Sequence, residues 1–104
     1  MHAALTVRKL KPGTFDAWRE AWQPEEWPEG VQGYILRSLS DPDEVIAFGL
    51  FEGSKDEMRA MMEQPERKAA EDARQARMAQ YVESIGADGI YEVVERVGAQ
   101  SVSA

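Results

Sequence analysis

The stretch Val45-Ile46-Ala47-Phe48-Gly49-Leu50-Phe51 holds apolar or small residues without a break. Successive side chains of a strand point to opposite faces, so a half-exposed antiparallel strand alternates apolar with polar. A strand with no face suited to water needs cover on both. Val31 to Leu39 precedes it and is also rich in β-branched and aromatic residues, with the turn formers Ser40-Asp41-Pro42-Asp43 between. Gly30 to Glu52 therefore reads as a β-hairpin.

The flanks must supply the cover. Ala3 to Leu10 reads as a first strand, ended by Lys11-Pro12-Gly13. Thr14 is placed to N-cap a helix running to about Trp22, with Asp16 in its first turn and Phe15, Trp18 and Trp22 at i, i+3 and i+7 as its inward stripe. Pro24 and Pro28 prevent continuation, which leaves a loop carrying Trp27 among Glu25, Glu26 and Glu29. After the hairpin, Ser54 with Glu57 three residues on forms a capping-box pattern. Met58, Met62, Pro65, Ala69, Ala73 and Ala76 follow at helical spacing, and Pro65 suits the first position of a second helix. Met78, Tyr81, Val82 and Ile85 lie on the other side of that helix. The pattern predicts a helix through Ile85, Gly86 at its C-terminal stop, a turn at Ala87-Asp88-Gly89 and a last strand from Ile90 to Val97. Residues 1–97 then form one domain, and residues 98–104 a flexible tail.

The resulting order, β-α-β-β-α-β, is the α+β, ferredoxin-like pattern with a four-stranded antiparallel sheet. Right-handed crossovers put both helices on one face of the sheet and leave the other bare. A second copy of the chain, stacked on that face, is the expected remedy.

Composition narrows the function. The chain of 104 residues has a formal net charge of −7, which argues against nucleic acid or an anionic membrane as partner. Gly30-Val31-Gln32-Gly33 has the spacing of an RNA-clamping loop but no flanking basic residues. There is no cysteine, so disulfides, thiolate catalysis and Cys-type metal sites are excluded. No apolar run approaches the ~18 residues of a membrane span, and no apolar leader follows basic residues, so a cytoplasmic protein is expected.

Two segments, GVQGYILR and IAFGLFEGSKDEMRAMM, carry a resemblance to the dimeric α/β barrels and, within them, to the antibiotic-biosynthesis-monooxygenase-like family; it extends over about residues 3–97. The resemblance implies a homodimer with a shared barrel and a small-molecule cavity in each subunit between sheet and helices. Some members of that family oxidise aromatic polyketides or quinols without metal or flavin, and others degrade haem. Their working residues are an asparagine with tryptophan and tyrosine, or asparagine, tryptophan and a haem-ligating histidine. This chain has no asparagine, its one histidine is His2, and its tryptophans lie in or just after the first helix. No catalytic residue is carried over, and haem degradation is disfavoured.

The residues suited to line a pocket are Trp18, Trp22, Tyr34, Arg37, Phe48, Met62 and Tyr81. Flat aromatic walls stack on flat ligands, methionine adapts to them, and Arg37 could hold a carboxylate or enolate, or else pair with an acid across the hairpin. The aromatic stripe and the methionines serve equally as core. His2, near the start of the chain, reads as solvent-exposed, and Glu25, Glu26 and Glu29 as a solvated acidic loop. No metal or other cofactor is expected. The expectation is a homodimer binding a small aromatic or apolar molecule, either as a cofactor-free monooxygenase or as a non-catalytic binding or assembly module.

Overall fold

The computed structural model describes residues 1–27 and 29–98. Its elements are β1 (His2–Leu10), α1 (Phe15–Trp22), β2 (Gln32–Arg37), β3 (Glu44–Phe51), α2 (Lys55–Met62), α3 (Pro65–Ala79) and β4 (Val82–Glu92). The four strands make one sheet in the order β2-β3-β1-β4, and each neighbouring pair is antiparallel. The expected ferredoxin-like arrangement is present, with the second helical region split at Pro65 as the sequence requires. The expected flexible tail falls mostly on residues 99–104, outside the described residues.

The hairpin turn is held by its own polar side chains. The Ser38 hydroxyl accepts from the Ser40 and Asp41 amides, and Asp41 accepts from the Asp43 amide at 3.0 Å. The carbonyl of Asp43 accepts from the Leu10 amide at 2.7 Å, and its carboxylate accepts from the Gly13 amide at 3.2 Å. The turn is thereby tied to the end of β1. Lys9 adds an ion pair to Asp41.

Two caps differ. Ser54 accepts from the Glu57 amide at 3.1 Å, as expected of an N-cap. Thr14 makes no such bond: its hydroxyl donates to the Lys11 carbonyl at 2.7 Å and so closes the turn before α1 rather than capping the helix.

One face of the sheet carries the core. Leu10, Val45 and Ala47 are buried there with Trp18 from α1 and Met78 from α3, so both helices lie on the same side. Strand alternation and register put Ala3, Leu5 and Val7 of β1, Tyr34 and Leu36 of β2, Ile46, Phe48 and Leu50 of β3, and Tyr91 of β4 on the opposite side. No helix covers it, and Tyr34, Leu36 and Tyr91 are each nearly half exposed. The chain measures 45 × 39 × 20 Å, and its radius of gyration of 15.3 Å exceeds the ~13 Å expected of a compact chain this long. It is a flat slab of one sheet and one helical layer.

The last strand departs from the sequence expectation. The helix stops at Ala79 instead of Ile85, and the strand begins at Val82 instead of Ile90. Gly86 and Gly89 are therefore within a strand, not a helix stop and a turn. The reason is a bulge. Thr6 pairs with Asp88 and Arg8 with Ile85, so Gly86 and Ala87 together oppose Val7; a second slip falls between Lys9–Ser84 and Leu10–Val82. A Cβ on Gly86 would stand 3.2 to 3.3 Å from Val7, including its backbone oxygen, so any larger residue would require β1 to give by a few tenths of an ångström where the two backbones approach. The apparent change of helical phase at Tyr81 and Val82 is the passage from helix to strand.

The inward face of α3 is also not the expected one. Ala69, Ala73 and Ala76 are exposed, while Glu71, Arg74 and Met78, at i, i+3 and i+7, turn toward the core. A long arginine stem covers apolar surface while its head stays polar, and that lets a charged residue take a position the apolar stripe would have assigned to alanine.

Gly86→Ala should lower stability by about 1 kcal/mol or more in urea unfolding, because the β1 backbone must shift. Gly89→Ala, whose nearest neighbour is the Tyr91 ring at 3.6 Å, should be close to neutral. The Lys9 hydrogen bond, with the Asp43 amide second, holds the Asp41 carboxyl below its ordinary value of 3.8. Such a group contributes stability above its unfolded-state value and loses it as pH falls through the lowered native value. Asp41→Asn should thus lower the melting temperature at neutral pH, and the gap to the wild type should narrow in acid well below 3.8.

Candidate functional site

Two hollows lie on the helical side of the sheet and share Arg74. The larger, of about 1280 Å³, is a half-open groove beneath α2 and α3, reached from the Trp27 loop and from the ends of β1 and β4. Met58, Met61 and Met62 give it an apolar strip, but its rim mixes Arg59, Arg67 and Arg77 with Glu63, Glu66 and Glu92. It is larger than the ~300 to 1,000 Å³ typical of small-molecule sites. The smaller, of about 380 Å³, falls within that range.

Thr6 and Arg8 of β1 form the floor of this cleft, Trp18 and Trp22 one wall, and Arg74 and Met78 the roof; Val82 to Ile85 of β4 close the other side. The bulge that lodges Gly86 against Val7 also sets Ile85 opposite Arg8. The aromatic wall continues outward as a chain: Phe15–Trp18 ring centroids are 6.0 Å apart, Trp18–Trp22 6.5 Å and Trp22–Trp27 5.5 Å. Trp22 is flanked by two cations, Arg19 at 5.2 Å and Arg74 at 5.3 Å from its ring centre. Such contacts fix ring orientation and add roughly 0.5 to 1 kcal/mol each at exposed sites.

Arg8 is the one buried charged residue among those described. Its Nη2 donates to Asp88 at 2.7 Å and its Nη1 to the Val7 carbonyl at 3.0 Å. Arg74 donates from Nε to Glu71 at 3.2 Å, and from Nη1 toward the Met78 sulfur at 3.7 Å.

The structure divides the residues singled out from sequence. Trp18 and Trp22 line the cleft together, and Met62 lies on the neighbouring groove. Tyr81 is half-buried against the core, and its carbonyl accepts from the Lys11 amide at 2.9 Å. Tyr34 and Phe48 stack on each other, centroids 5.1 Å apart, on the open face and so away from the helices. Arg37 has no acidic partner across the hairpin among the described residues: its Nε donates to the Pro42 carbonyl at 2.9 Å and its guanidinium sits 4.4 Å over Phe15. It braces the hairpin against α1. His2 is not free in solvent either, since its ring stacks on Phe51 at 5.7 Å and its Nδ1 lies 3.1 Å from the Gly53 carbonyl.

Arg8 and Arg74 are absent from the sequence reading. A single arginine in a strand reads as solvent-facing, and only the registration of β4 on β1 encloses it. Glu25, Glu26 and Glu29 are exposed, and no group of three or more His, Asp or Glu side chains among the described residues is placed to hold a metal ion. Among the described residues no helix is long and apolar enough to cross a membrane.

No family model matches the chain, and no curated protein matches it. Its fold is that of two crystallised proteins described as candidate antibiotic biosynthesis monooxygenases. The one from Chloroflexus aurantiacus J-10-fl superposes with a TM-score of 0.65 at 15% identity, over 93% of this chain and 96% of its own. The one from Deinococcus radiodurans gives 0.64 at 15% identity, over 96% and 99%. Both support the α+β, ferredoxin-like architecture.

Trp18, only 1% exposed, is core as well as cleft wall. Trp18→Ala should cost about 3 to 5 kcal/mol in chemical unfolding, whereas Trp27→Ala, at the exposed end of the aromatic chain, should cost far less and mainly alter the fluorescence of Trp22.

Proposed function

We propose that two copies of this chain stack their open sheet faces into a dimeric α/β barrel of the antibiotic-biosynthesis-monooxygenase-like kind, and that each copy binds a small, flat, largely apolar molecule in the cleft between sheet and helices. The observation that carries the second half is the 380 Å³ cleft walled by Trp18 and Trp22. The first half is supported by the slab shape and by the apolar residues that β1, β2 and β3 present on the uncovered side. A sheet packed on a sheet hides both, and β3 is then covered on its two faces.

The chemistry that suits this cleft is oxidation in which the substrate supplies the electrons. A phenol or quinol deprotonates to an electron-rich anion, which reacts with dioxygen; one oxygen atom enters the ring to give a quinone, and the other leaves as water. The protein's part is to hold the ring, exclude water and favour the anion. A second reading, a binding or assembly module without catalysis, is favoured by one observation: Tyr34, Arg37 and Tyr81, the residues suited to assist deprotonation, are not among the residues that line the cleft.

Sedimentation should give a dimer, and Phe48→Glu, which puts a charge at the centre of the open face, should give a monomer. With 1-naphthol, tryptophan fluorescence should be quenched and oxygen consumed. Quenching without oxygen uptake selects the binding module, and a wild-type monomer without quenching overturns the proposal.

A further inference from the structure

We infer that the cleft selects flat ligands bearing an acidic oxygen, a carboxylate or an enolate, and that Arg8 is the anchor which reads that charge. The inference rests on the cleft being the ligand site and goes further, naming the charge of the ligand and the residue that recognises it.

Arg8 is an unusual residue to bury. Its side chain is 10% exposed, while that of its counter-ion Asp88 is 57% exposed, so the charge is desolvated and its compensation is screened by water. Desolvating a cation is costly unless anions and acceptors surround it. A guanidinium offers five N–H donors, whereas Arg8's recorded bonds go to one carboxylate oxygen and one carbonyl. Its fork therefore has N–H groups beyond those two bonds, Arg8 is part of the cleft lining, and a planar carboxylate is the group that a guanidinium matches best. Trp18 and Trp22 stand on the adjoining wall for the ring that carries it.

The other charges around the cleft fit this assignment. Arg74 adds a second cation from the roof, although its Nε is engaged by Glu71. Glu83, at the start of β4, is the carboxylate on the lining, and it is exposed at the rim. In a chain of net charge −7, two arginines line the cleft, each paired with one carboxylate, Arg8 with Asp88 and Arg74 with Glu71. Asp88 then acts as an internal stand-in for the ligand, competing for the same guanidinium from the edge of the sheet.

This competition gives a test that a purely structural arginine would fail. Binding is followed by tryptophan fluorescence with 2-naphthoate and with its neutral counterpart, naphthalene-2-carboxamide. Naphthoate should bind the wild type about tenfold more tightly or better, the scale of a hydrogen bond to a charged group. Arg8→Met, which keeps an unbranched apolar stem, should abolish the preference while leaving carboxamide binding in place. Asp88→Asn should raise naphthoate affinity by freeing the guanidinium, even though it lowers the melting temperature. Far-UV circular dichroism checks that each variant is folded, and Asp88→Asn, at an exposed position, provides the decisive result if Arg8→Met does not fold. Equal affinity for acid and amide, or naphthoate affinity unchanged or reduced in Asp88→Asn, overturns this inference and leaves the cleft as a ligand site. If neither compound binds, the cleft assignment falls and the anchor role with it.

Discussion

A strand that is apolar on both sides dictates what surrounds it. β3 lies inside the sheet between β2 and β1, sends Val45 and Ala47 under the helices, and leaves Ile46, Phe48 and Leu50 on the opposite surface. The connections that bring α1 and α3 onto one side cannot also cover the other. Its two surfaces thus belong to different problems: one is satisfied by folding, and the other has no cover from the chain's own helices. The flatness of the chain, 20 Å along its shortest axis, is the geometric expression of that division.

The covered side is itself thinly filled. Its buried apolar side chains are few and dominated by Trp18, Leu10 and Val45, while α2 lies toward α3 with only Met58 fully buried. Helices that meet the sheet mainly at one end leave space at the other, and the groove and the cleft are that space. Where apolar side chains are lacking, arginine stems fill in: Arg74 covers Trp22, Arg37 covers Phe15, and Arg8 fills the floor. The same substitution of arginine for aliphatic packing turns a structural shortfall into a hollow with cationic groups on an aromatic wall.

The β-bulge links this packing to the cleft. By inserting an extra residue opposite Val7, it lets β4 begin early, sets Ile85 across from Arg8 and Asp88 across from Thr6, and so encloses the arginine and supplies its partner. Two glycines in the strand make the close approach sterically feasible at Gly86 and leave room for the Tyr91 ring at Gly89. A feature that reads in sequence as helix stop and turn is in fact the device that shapes one side of the cleft.

The sequence alone determined the hairpin, the aromatic stripe of α1, the Ser54 cap, the break at Pro65 and hence the α+β order, because each rests on interactions between residues close in the chain. That Trp18 and Trp22 stand together was legible for the same reason, since they share one face of one helix; that this face borders a cleft was not. What only the tertiary structure decided were the start of β4, the separation of Tyr34 and Phe48 from the cleft, the bracing role of Arg37 and the burial of Arg8. Each depends on which strand lies beside which and in what register, and a register slip of one residue exchanges the two faces of a sheet. Local pattern contains no record of that choice; it is made by contacts between residues as distant as Arg8 and Asp88.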